Sequence, residues 1–442
     1  MIRRRLLALA LAVNFIPEDV RADTSVPEPE PTEDAAEPKT IVERIDVRGL
    51  KKTKLSVVRD RLLVKAGEAL DEDRVVVSKL RLMGLGFFRD VRTHIERGSK
   101  PGNVVVVFDM VERNSIVVTD IMLGVSRRTP FWAGLGIEET NFLGRGWKLG
   151  GAAVAGEGQQ AVRLRFFDPA FLSNRLVLGG SLYFNKGREF FPDSFGALPD
   201  LNYQRLGGVA TGGFNLGGFH HIYLDYRLES VMARIPAGVV ADIDPDLTWL
   251  SSFSFTYERD SRNDNFIPTE GSRVSFGVEV GSRLLGSRYE FSKYVLKSEF
   301  LLPLVPEHAF KIELFAGLTQ GYTPFFNQFY FGDHVYFSPR ERSISRALGL
   351  NYSDASRYSQ VAMSLSIEYD LPLFLRGRNV YRGYLFWAAS ATYMNRLTET
   401  LISAPSRAGD SPFTASFDIG IKLDTPLGNF VFSTAFILDF LL

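Results

Sequence analysis

The stretch that most constrains the fold of this chain is Val361 to Pro372, VAMSLSIEYDLP. Its odd positions are all apolar, whereas its even positions include two serines and the carboxylates of Glu368 and Asp370. A period of two predicts a β-strand with one apolar face and one polar face. Such a strand fits the wall of a soluble sandwich, and it also fits a membrane barrel with lipid outside and a polar lumen inside.

The same pattern recurs along the chain and favours the barrel. Residues 222–228, 274–280 and 413–424 alternate in the same way, and ionisable side chains such as Asp418 stand in mid-strand opposite the apolar face. In a wide barrel these charges would line an aqueous lumen. The segments run about ten residues or more, the length that crosses a bilayer at a tilt of roughly 45°. They recur over roughly three hundred residues, which is long for one sandwich. We therefore predict a mainly β protein with a transmembrane antiparallel barrel.

Composition excludes several function classes. The 442 residues carry 51 basic and 51 acidic side chains, so no basic surplus favours nucleic acid as a partner. The chain has no cysteine, which removes disulfides, zinc thiolates and cysteine nucleophiles. Its five histidines form no Ser/His/acid grouping, and no G-x-S-x-G motif is present. The sequence predicts neither an enzyme nor a cofactor or metal site.

The N-terminal residues predict export. Residues 1–22 combine three arginines, an apolar stretch and small residues at cleavage positions, the layout of a signal peptide. An amphipathic or disordered N-terminus is the alternative. Residues 23–40 are rich in proline and acidic residues, and they predict a disordered, extended linker.

Residues 41–113 predict a small α+β domain. The order is strand, helix, helix, strand, strand, with Asp71 as the N-cap of the second helix. The predicted spans are 41–47, 54–63, 73–83, 88–96 and 104–111.

This order, with the texts IVERIDVRGLKKT, LMGLGFFRDVRTHIE and VVVVFDMVE, resembles a POTRA domain. The resemblance implies a domain that binds client chains by adding a strand to its sheet edge. We expect the client to pair with the third strand, at Val104, Val105, Val106, Val107 and Phe108. A domain that serves only as a spacer is the alternative.

Residues 114–442 predict the barrel, in which we count fifteen strands. Four segments are similar to recurring segments of the BamA/TamA superfamily of surface-antigen barrels: ETNFLGRGWKL, YERDSRNDNFIPTEGSRVSF, SIEYDLPL and DIGIKLDTPLGNF. The resemblance implies about 16 strands. The number must be even if the chain enters and leaves the barrel on the periplasmic side. Fifteen strands leave either a missed strand or an unusual closing seam.

The chain departs from that family in its long loop. An Arg-Gly-aromatic motif normally reaches from this loop into the lumen to an acidic residue, and residues 325–354 contain no such motif. We call this contact between the loop arginine and the acidic lumen residue the lock, and we expect it to be rewired or absent. One hypothesis is that Arg346 meets Glu368, with Asp418 as a second lumen carboxylate. Ordinary solvated loop arginines are the alternative.

The resemblance implies a protein of the bacterial outer membrane whose POTRA domain lies in the periplasm. It would insert outer-membrane proteins or translocate polypeptides, with a barrel seam as the second site of client capture. Its partners would be outer-membrane lipid, client polypeptides and accessory periplasmic or outer-membrane proteins. A passive pore and an outer-membrane enzyme are the rival interpretations.

Overall fold

The computed structural model describes residues 40–124, 130–172, 175–190, 199–217, 219–264, 267–330, 358–375, 380–397 and 412–439. The predicted signal peptide and all but the last residue of the predicted linker lie outside these residues. No helix in the described ranges is long and apolar enough to cross a bilayer.

The small domain has the predicted order of elements. They are β1 (Ile41–Arg48), α1 (Leu55–Arg59), α2 (Glu72–Met83), β2 (Phe88–Arg97) and β3 (Asn103–Glu112). The three strands form a sheet in the order β1-β3-β2, in which β3 runs parallel to β1 and antiparallel to β2.

A local signal accounts for the start of α2. The Asp71 side chain accepts a hydrogen bond from Arg74 N at 3.0 Å, so the predicted N-cap of α2 is confirmed. The helix predicted over 54–63 is shorter in the structure, where α1 ends at Arg59. Beyond it the chain leaves the helical path, and Leu63 N instead donates to Ser78 Oγ of α2 at 2.8 Å.

Fifteen further strands form one antiparallel sheet that curls into a nearly closed barrel, so the predicted fold is confirmed. They are β4 (Ile116–Gly124), β5 (Trp132–Phe142), β6 (Trp147–Gly156), β7 (Gln159–Phe171), β8 (Leu176–Phe190), β9 (Asp200–Asn215), β10 (His220–Arg234), β11 (Asp246–Asp260), β12 (Gly271–Gly281), β13 (Phe291–Leu302), β14 (Ala309–Gly321), β17 (Val361–Phe374), β18 (Arg382–Asn395), β19 (Phe413–Thr425) and β20 (Gly428–Asp439). A short pair, β15 (Phe329–Tyr330) and β16 (Tyr358–Ser359), lies between β14 and β17.

The faces of the strands follow the predicted alternation. In β17 the side chains of Leu365 and Ile367 are 43% and 41% exposed, whereas those of Glu368 and Asp370 are buried. Apolar groups thus point outward, where a bilayer would cover them, and ionisable groups point into the lumen. Buried Arg205, with its partner Glu229, shows the same inward placement in β9 and β10.

The two ends of the barrel differ in their connections. We call one the turn end, because short connections such as residues 143–146 and 426–427 lie there beside the small domain. We call the other the loop end, because it carries the longer connections, including 235–245 and 322–360. This asymmetry is typical of outer-membrane barrels.

Candidate functional site

The first candidate site is the seam between β4 and β20, the two end strands of the barrel sheet. Among the described residues one backbone hydrogen bond joins β4 to the residue just before β20, from Val118 N to Leu427 O at 2.6 Å. Gly428 lies so close that a Cβ added there would come within 2.5 Å of Val118 O. Because successive strands run antiparallel, the first and fifteenth strands run in the same direction. The hydrogen bond at Val118 joins the seam near the turn end, and no continuous ladder of backbone hydrogen bonds links the described residues of β4 and β20.

Ion pairs anchor the closed end of the seam. Arg113, which follows the small domain, donates from Nη2 to Asp424 Oδ1 and to Thr425 O, both at 3.0 Å. Arg382 Nη2 donates to the other oxygen of Asp424 at 2.8 Å, and also to Asp264 at 2.8 Å. The side chains of Arg113 and Asp424 are only 3% and 4% exposed, so removal of Asp424 would take away the buried carboxylate that Arg113 shares with Arg382.

The small domain contacts the turn that joins β5 and β6. Lys52 Nζ donates to Glu139 Oε2 at 2.8 Å and to Ser115 Oγ at 2.7 Å. Asn141 Nδ2 donates to Thr53 Oγ1 at 2.8 Å, and Lys54 N donates to Gly144 O at 2.9 Å. We call this set of contacts the domain socket.

Two features shape the socket. Gly144 has φ +70° and sits against the Lys52 carbonyl, which a Cβ would meet at 2.1 Å, so only glycine fits without displacement. On the other side, Glu112 accepts hydrogen bonds from the amides of Lys52 at 2.9 Å and Thr53 at 2.8 Å. Burial opposes the charge of Glu112, but these hydrogen bonds lower the pKa of its carboxyl below the usual value.

A segment after β14 occupies the lumen near the loop end. We call residues 323–330 the plug. Arg227 Nη1 and Nη2 donate to Asn327 Oδ1 at 3.2 and 3.3 Å, and Lys293 Nζ donates to Asn327 O at 2.8 Å. The Arg205 guanidinium lies 4.0 Å from the centre of the Phe326 ring. The barrel wall thus supplies the cations, and the plug supplies acceptors and an aromatic face.

Aromatic packing holds the plug at a second point. The ring of Phe325 lies 5.2 Å from that of Tyr203 and 5.1 Å from that of Tyr358, measured between centroids. Tyr358 OH donates to Glu189 Oε1 at 2.6 Å. Phe325 N donates to Asp242 O at 2.8 Å, which ties the plug to the connection between β10 and β11.

The residues of the predicted lock are placed differently. Arg346 lies outside the described residues, so its pairing stays a prediction. Glu368 already accepts hydrogen bonds from Lys422 Nζ at 2.6 Å and Lys311 Nζ at 2.8 Å. Asp418 is half-buried on β19, opposite Ala388 of β18. An arginine that reached Glu368 would have to share it with two lysines.

The prediction that a client adds to Val104–Phe108 is wrong in its choice of strand. Those residues lie in β3, the middle strand, which pairs with β1 on one side and β2 on the other. A client strand needs unpaired backbone groups, and a central strand has none to offer. The sheet edges are β1 and β2 instead.

The two sheet edges differ in accessibility. The start of β1 is covered, because Val42 N donates to Glu68 O at 2.9 Å and Gly67 N donates to Val42 O at 2.7 Å. Within the described ranges, β2 pairs only with β3, so its outer edge runs over Phe88–Arg97. Ile95 of that strand is 48% exposed.

Sequence reasoning missed the residues that hold the plug and the socket. Arg227 and Asn327 are a hundred residues apart, and nothing in their local pattern connects them. The segment ETNFLGRGWKL contained the signal for the socket, since Glu139, Asn141 and Gly144 all lie in it. In the described part of the chain no cluster of three His, Asp or Glu could hold a metal ion.

Comparison with known families gives two matches. The model of the Omp85 superfamily domain matches residues 141–440, which include most of the barrel. The POTRA model described as a surface antigen variable number repeat matches residues 40–113.

Comparison with individual proteins agrees with these matches. The chain is 21% identical over 351 residues to the outer membrane protein assembly factor BamA of Neorickettsia risticii, covering 75% of this chain and 45% of the relative. It thus spans about half the length of that curated relative. CdiB from Escherichia coli has a similar fold, with TM-score 0.61, 11% identity, and coverage of 91% of this chain and 73% of that one. CdiB from Acinetobacter baumannii gives TM-score 0.52 at 12% identity, with coverage of 91% and 71%.

Substitution at Gly144 tests the socket. Gly144→Ala places a methyl group against the Lys52 carbonyl, so we expect the hydrogen bond from Lys54 N to Gly144 O to break. Hydrogen–deuterium exchange of residues 51–54 in the detergent-solubilised chain should accelerate at least tenfold. That change corresponds to about 1.4 kcal/mol of lost local stability.

Gly286→Ala is the matched control for this test. Gly286 also has a positive φ, +79°, but a Cβ there would meet nothing within 4 Å. It should leave exchange at residues 51–54 unchanged. Equal exchange in both variants and the parent chain would show that Gly144 does not hold the small domain.

Proposed function

Because the chain belongs to the Omp85 superfamily, we propose that it inserts client polypeptides into the outer membrane or passes them across it. The observation that carries this proposal is the seam, where a single backbone hydrogen bond among the described residues links β4 to Leu427 at the start of β20. In a bilayer an unpaired strand edge is costly, because lipid offers no hydrogen-bond partners. A client strand that pairs with this edge would satisfy those groups.

The mechanism needs no catalytic residue. A client strand first adds to the small domain, and it then exchanges its backbone hydrogen bonds for those of β20 or β4 at the seam. Val118 and Leu427 hold the seam at the turn end, while Arg113 and Asp424 anchor its base. Opening therefore breaks few bonds and leaves the rest of the barrel paired.

Within the small domain, β2 is the strand best suited to receive a client. Its outer edge is ten residues long, whereas the first residues of β1 are covered by residues 67–68. Backbone pairing gives affinity with little demand on client sequence. The domain lies at the turn end, and we propose that this end faces the periplasm, where clients would arrive.

The rival interpretation as a passive pore has less support. The plug occupies the lumen near the loop end through Asn327, Phe325 and Phe326. The small domain stands at the turn end through the socket. A pore selected for free passage of solutes would require neither arrangement.

Photo-crosslinking tests the choice of sheet edge. A photoreactive amino acid at Ile95 of β2 should crosslink to a denatured eight-stranded outer-membrane barrel protein offered as the client. Ile41 is the matched control, because it has similar exposure but lies where β1 is covered. We expect at least fivefold more adduct from Ile95. More adduct from Ile41 would assign client binding to β1 instead.

A reversible disulfide tests the seam. The chain has no cysteine, so Val118→Cys with Leu427→Cys introduces one possible bridge between β4 and β20. In proteoliposomes the oxidised variant should fold the same denatured client at least tenfold more slowly, and reduction should restore the rate. The folded client is measured by its altered mobility on an unheated gel.

The control bridge joins two strands that are already paired. Ser390 and Ser416 face each other across β18 and β19 with their hydroxyl oxygens 2.7 Å apart. Ser390→Cys with Ser416→Cys should leave the rate unchanged when oxidised. If both bridges slow folding equally, or neither does, the seam is not the site of client insertion.

A further inference from the structure

A bulge at the start of β2 aims one side chain at the barrel. The register between β2 and β3 shifts between Phe88 and Asp90, which makes Arg89 the extra residue of the bulge. Its guanidinium carbon lies 4.3 Å from the centre of the Tyr381 ring, which belongs to the barrel just before β18. A cation over an aromatic face is an attractive contact. The strand proposed to receive clients is therefore joined to the barrel at its first residues.

Tyr381 stands at the base of the seam. The guanidinium carbon of Arg113 lies 5.6 Å from the centre of the same ring. Tyr381 N donates to Asp424 O at 2.7 Å, while the Asp424 side chain accepts from Arg113 Nη2 at 3.0 Å. One tyrosine thus contacts Arg89 of the small domain and both partners of the ion pair that anchors the seam.

A short series of hydrogen bonds continues from β2 to the seam. Arg113 N donates at 3.1 Å to the carbonyl of Phe87, the residue before β2. Arg113 Nη2 donates to Thr425 O at 3.0 Å, and Thr425 Oγ1 accepts from Leu427 N at 3.1 Å. Leu427 O in turn accepts from Val118 N, which is the seam bond itself. Contiguous contacts of this kind are a physical route by which a displacement at one site reaches another.

Client pairing would disturb the first of these contacts. The extra residue of a bulge is left out of the ladder, and the strand bends there. A client strand that pairs along the whole outer edge of β2 must therefore pass Arg89. Pairing at that point is regular only if the bulge flattens, and flattening turns the Arg89 side chain away from Tyr381.

We propose that Arg89 and Tyr381 are positioning residues that couple client addition at β2 to release of the seam. The inference rests on the proposed function and adds to it a link between its two steps. Without a client, Arg89 holds Tyr381 in place, and Tyr381 keeps the ion pair at the base of the seam intact. With a client, the contact between Arg89 and Tyr381 breaks, and the seam bond opens more often.

A tethered strand tests this coupling in the full chain in lipid nanodiscs. The chain has no cysteine, so Ile95→Cys on β2 can hold a short Thr/Val strand peptide through a single disulfide. The readout is hydrogen–deuterium exchange of the Val118 amide, because that amide forms the seam bond. We expect the peptide at position 95 to accelerate this exchange at least tenfold. The same peptide at Ile41→Cys, where β1 is covered, should leave it unchanged.

Loss of the Arg89 side chain should imitate the client. In the Ile95→Cys chain, Arg89→Ala should accelerate exchange of the Val118 amide at least fivefold without peptide, and the peptide should then add less than a twofold change. The matched control is Arg92→Ala, because Arg92 also lies on β2, is 76% exposed and pairs with Asp90 of the same strand. This control should exchange slowly until the peptide is attached, as the parent chain does.

Two changes at Tyr381 separate loss of the ring contact from loss of folding. Tyr381→Phe keeps the aromatic face and should respond to the peptide as the parent chain does. Tyr381→Leu removes that face and should match Arg89→Ala. Because both changes break one contact, Arg89→Ala with Tyr381→Leu should exchange no faster than either single variant. The amides of β10 should stay protected in every variant, which serves as the folding control.

The inference is wrong if the peptide at position 95 leaves exchange of the Val118 amide unchanged in the parent chain. It is also wrong if Arg89→Ala or Tyr381→Leu responds to the peptide as the parent chain does. The bridge between positions 118 and 427 tests the proposed function without reference to Arg89. A bridge that slows client folding, together with Val118 exchange that ignores the peptide, would keep the seam as the insertion site and remove only the coupling.

Discussion

The structure depends on one constraint, which is that backbone amides and carbonyls inside a bilayer must find their partners within the protein. Each barrel strand meets this demand by pairing with its neighbours, from β4 round to β20. The outward side chains, such as Leu365 and Ile367, then need only be apolar. Within the described part of the barrel the constraint is relaxed at the seam, where Val118 N and Leu427 O form the single backbone link. The proposed function assigns barrel opening to this point, because the fewest backbone hydrogen bonds would break there.

A different constraint applies in the lumen, where charged side chains are buried away from lipid and must be paired. Arg205 with Glu229, Arg227 with Glu279 and Lys422 with Glu368 are paired, since an isolated buried charge would be costly. Cations of the wall, including Arg205 and Arg227 of these pairs, also contact the plug. The wall presents cations, so the plug offers acceptors and rings instead of an arginine of its own. The family resemblance implies a lock of the opposite polarity, with the cation on the loop.

Much of the fold could be predicted from the sequence, because it follows from local periodicity. The strand predicted over 88–96 is β2 (Phe88–Arg97), and Asp71 caps α2 as expected. Long-range pairing could not be predicted in the same way. Val104 to Phe108 have the composition of a strand, but no local pattern says that β3 lies between β1 and β2. Glu368 faces the lumen as its parity indicates, yet its partners Lys311 and Lys422 depend on the register of other strands. The contact of Gly144 with Lys52 likewise joins two separately predicted domains.

Residue-resolved hydrogen–deuterium exchange of the chain in lipid nanodiscs tests the account of the seam most directly. The account predicts that about half of the amides of Val431 to Asp439, those that point away from β19, exchange within minutes. The amides of β10, which pairs with neighbours on both sides, should stay protected for hours. Equal protection of β20 and β10 would show that the seam is fully paired in the membrane, and it would contradict the central claim.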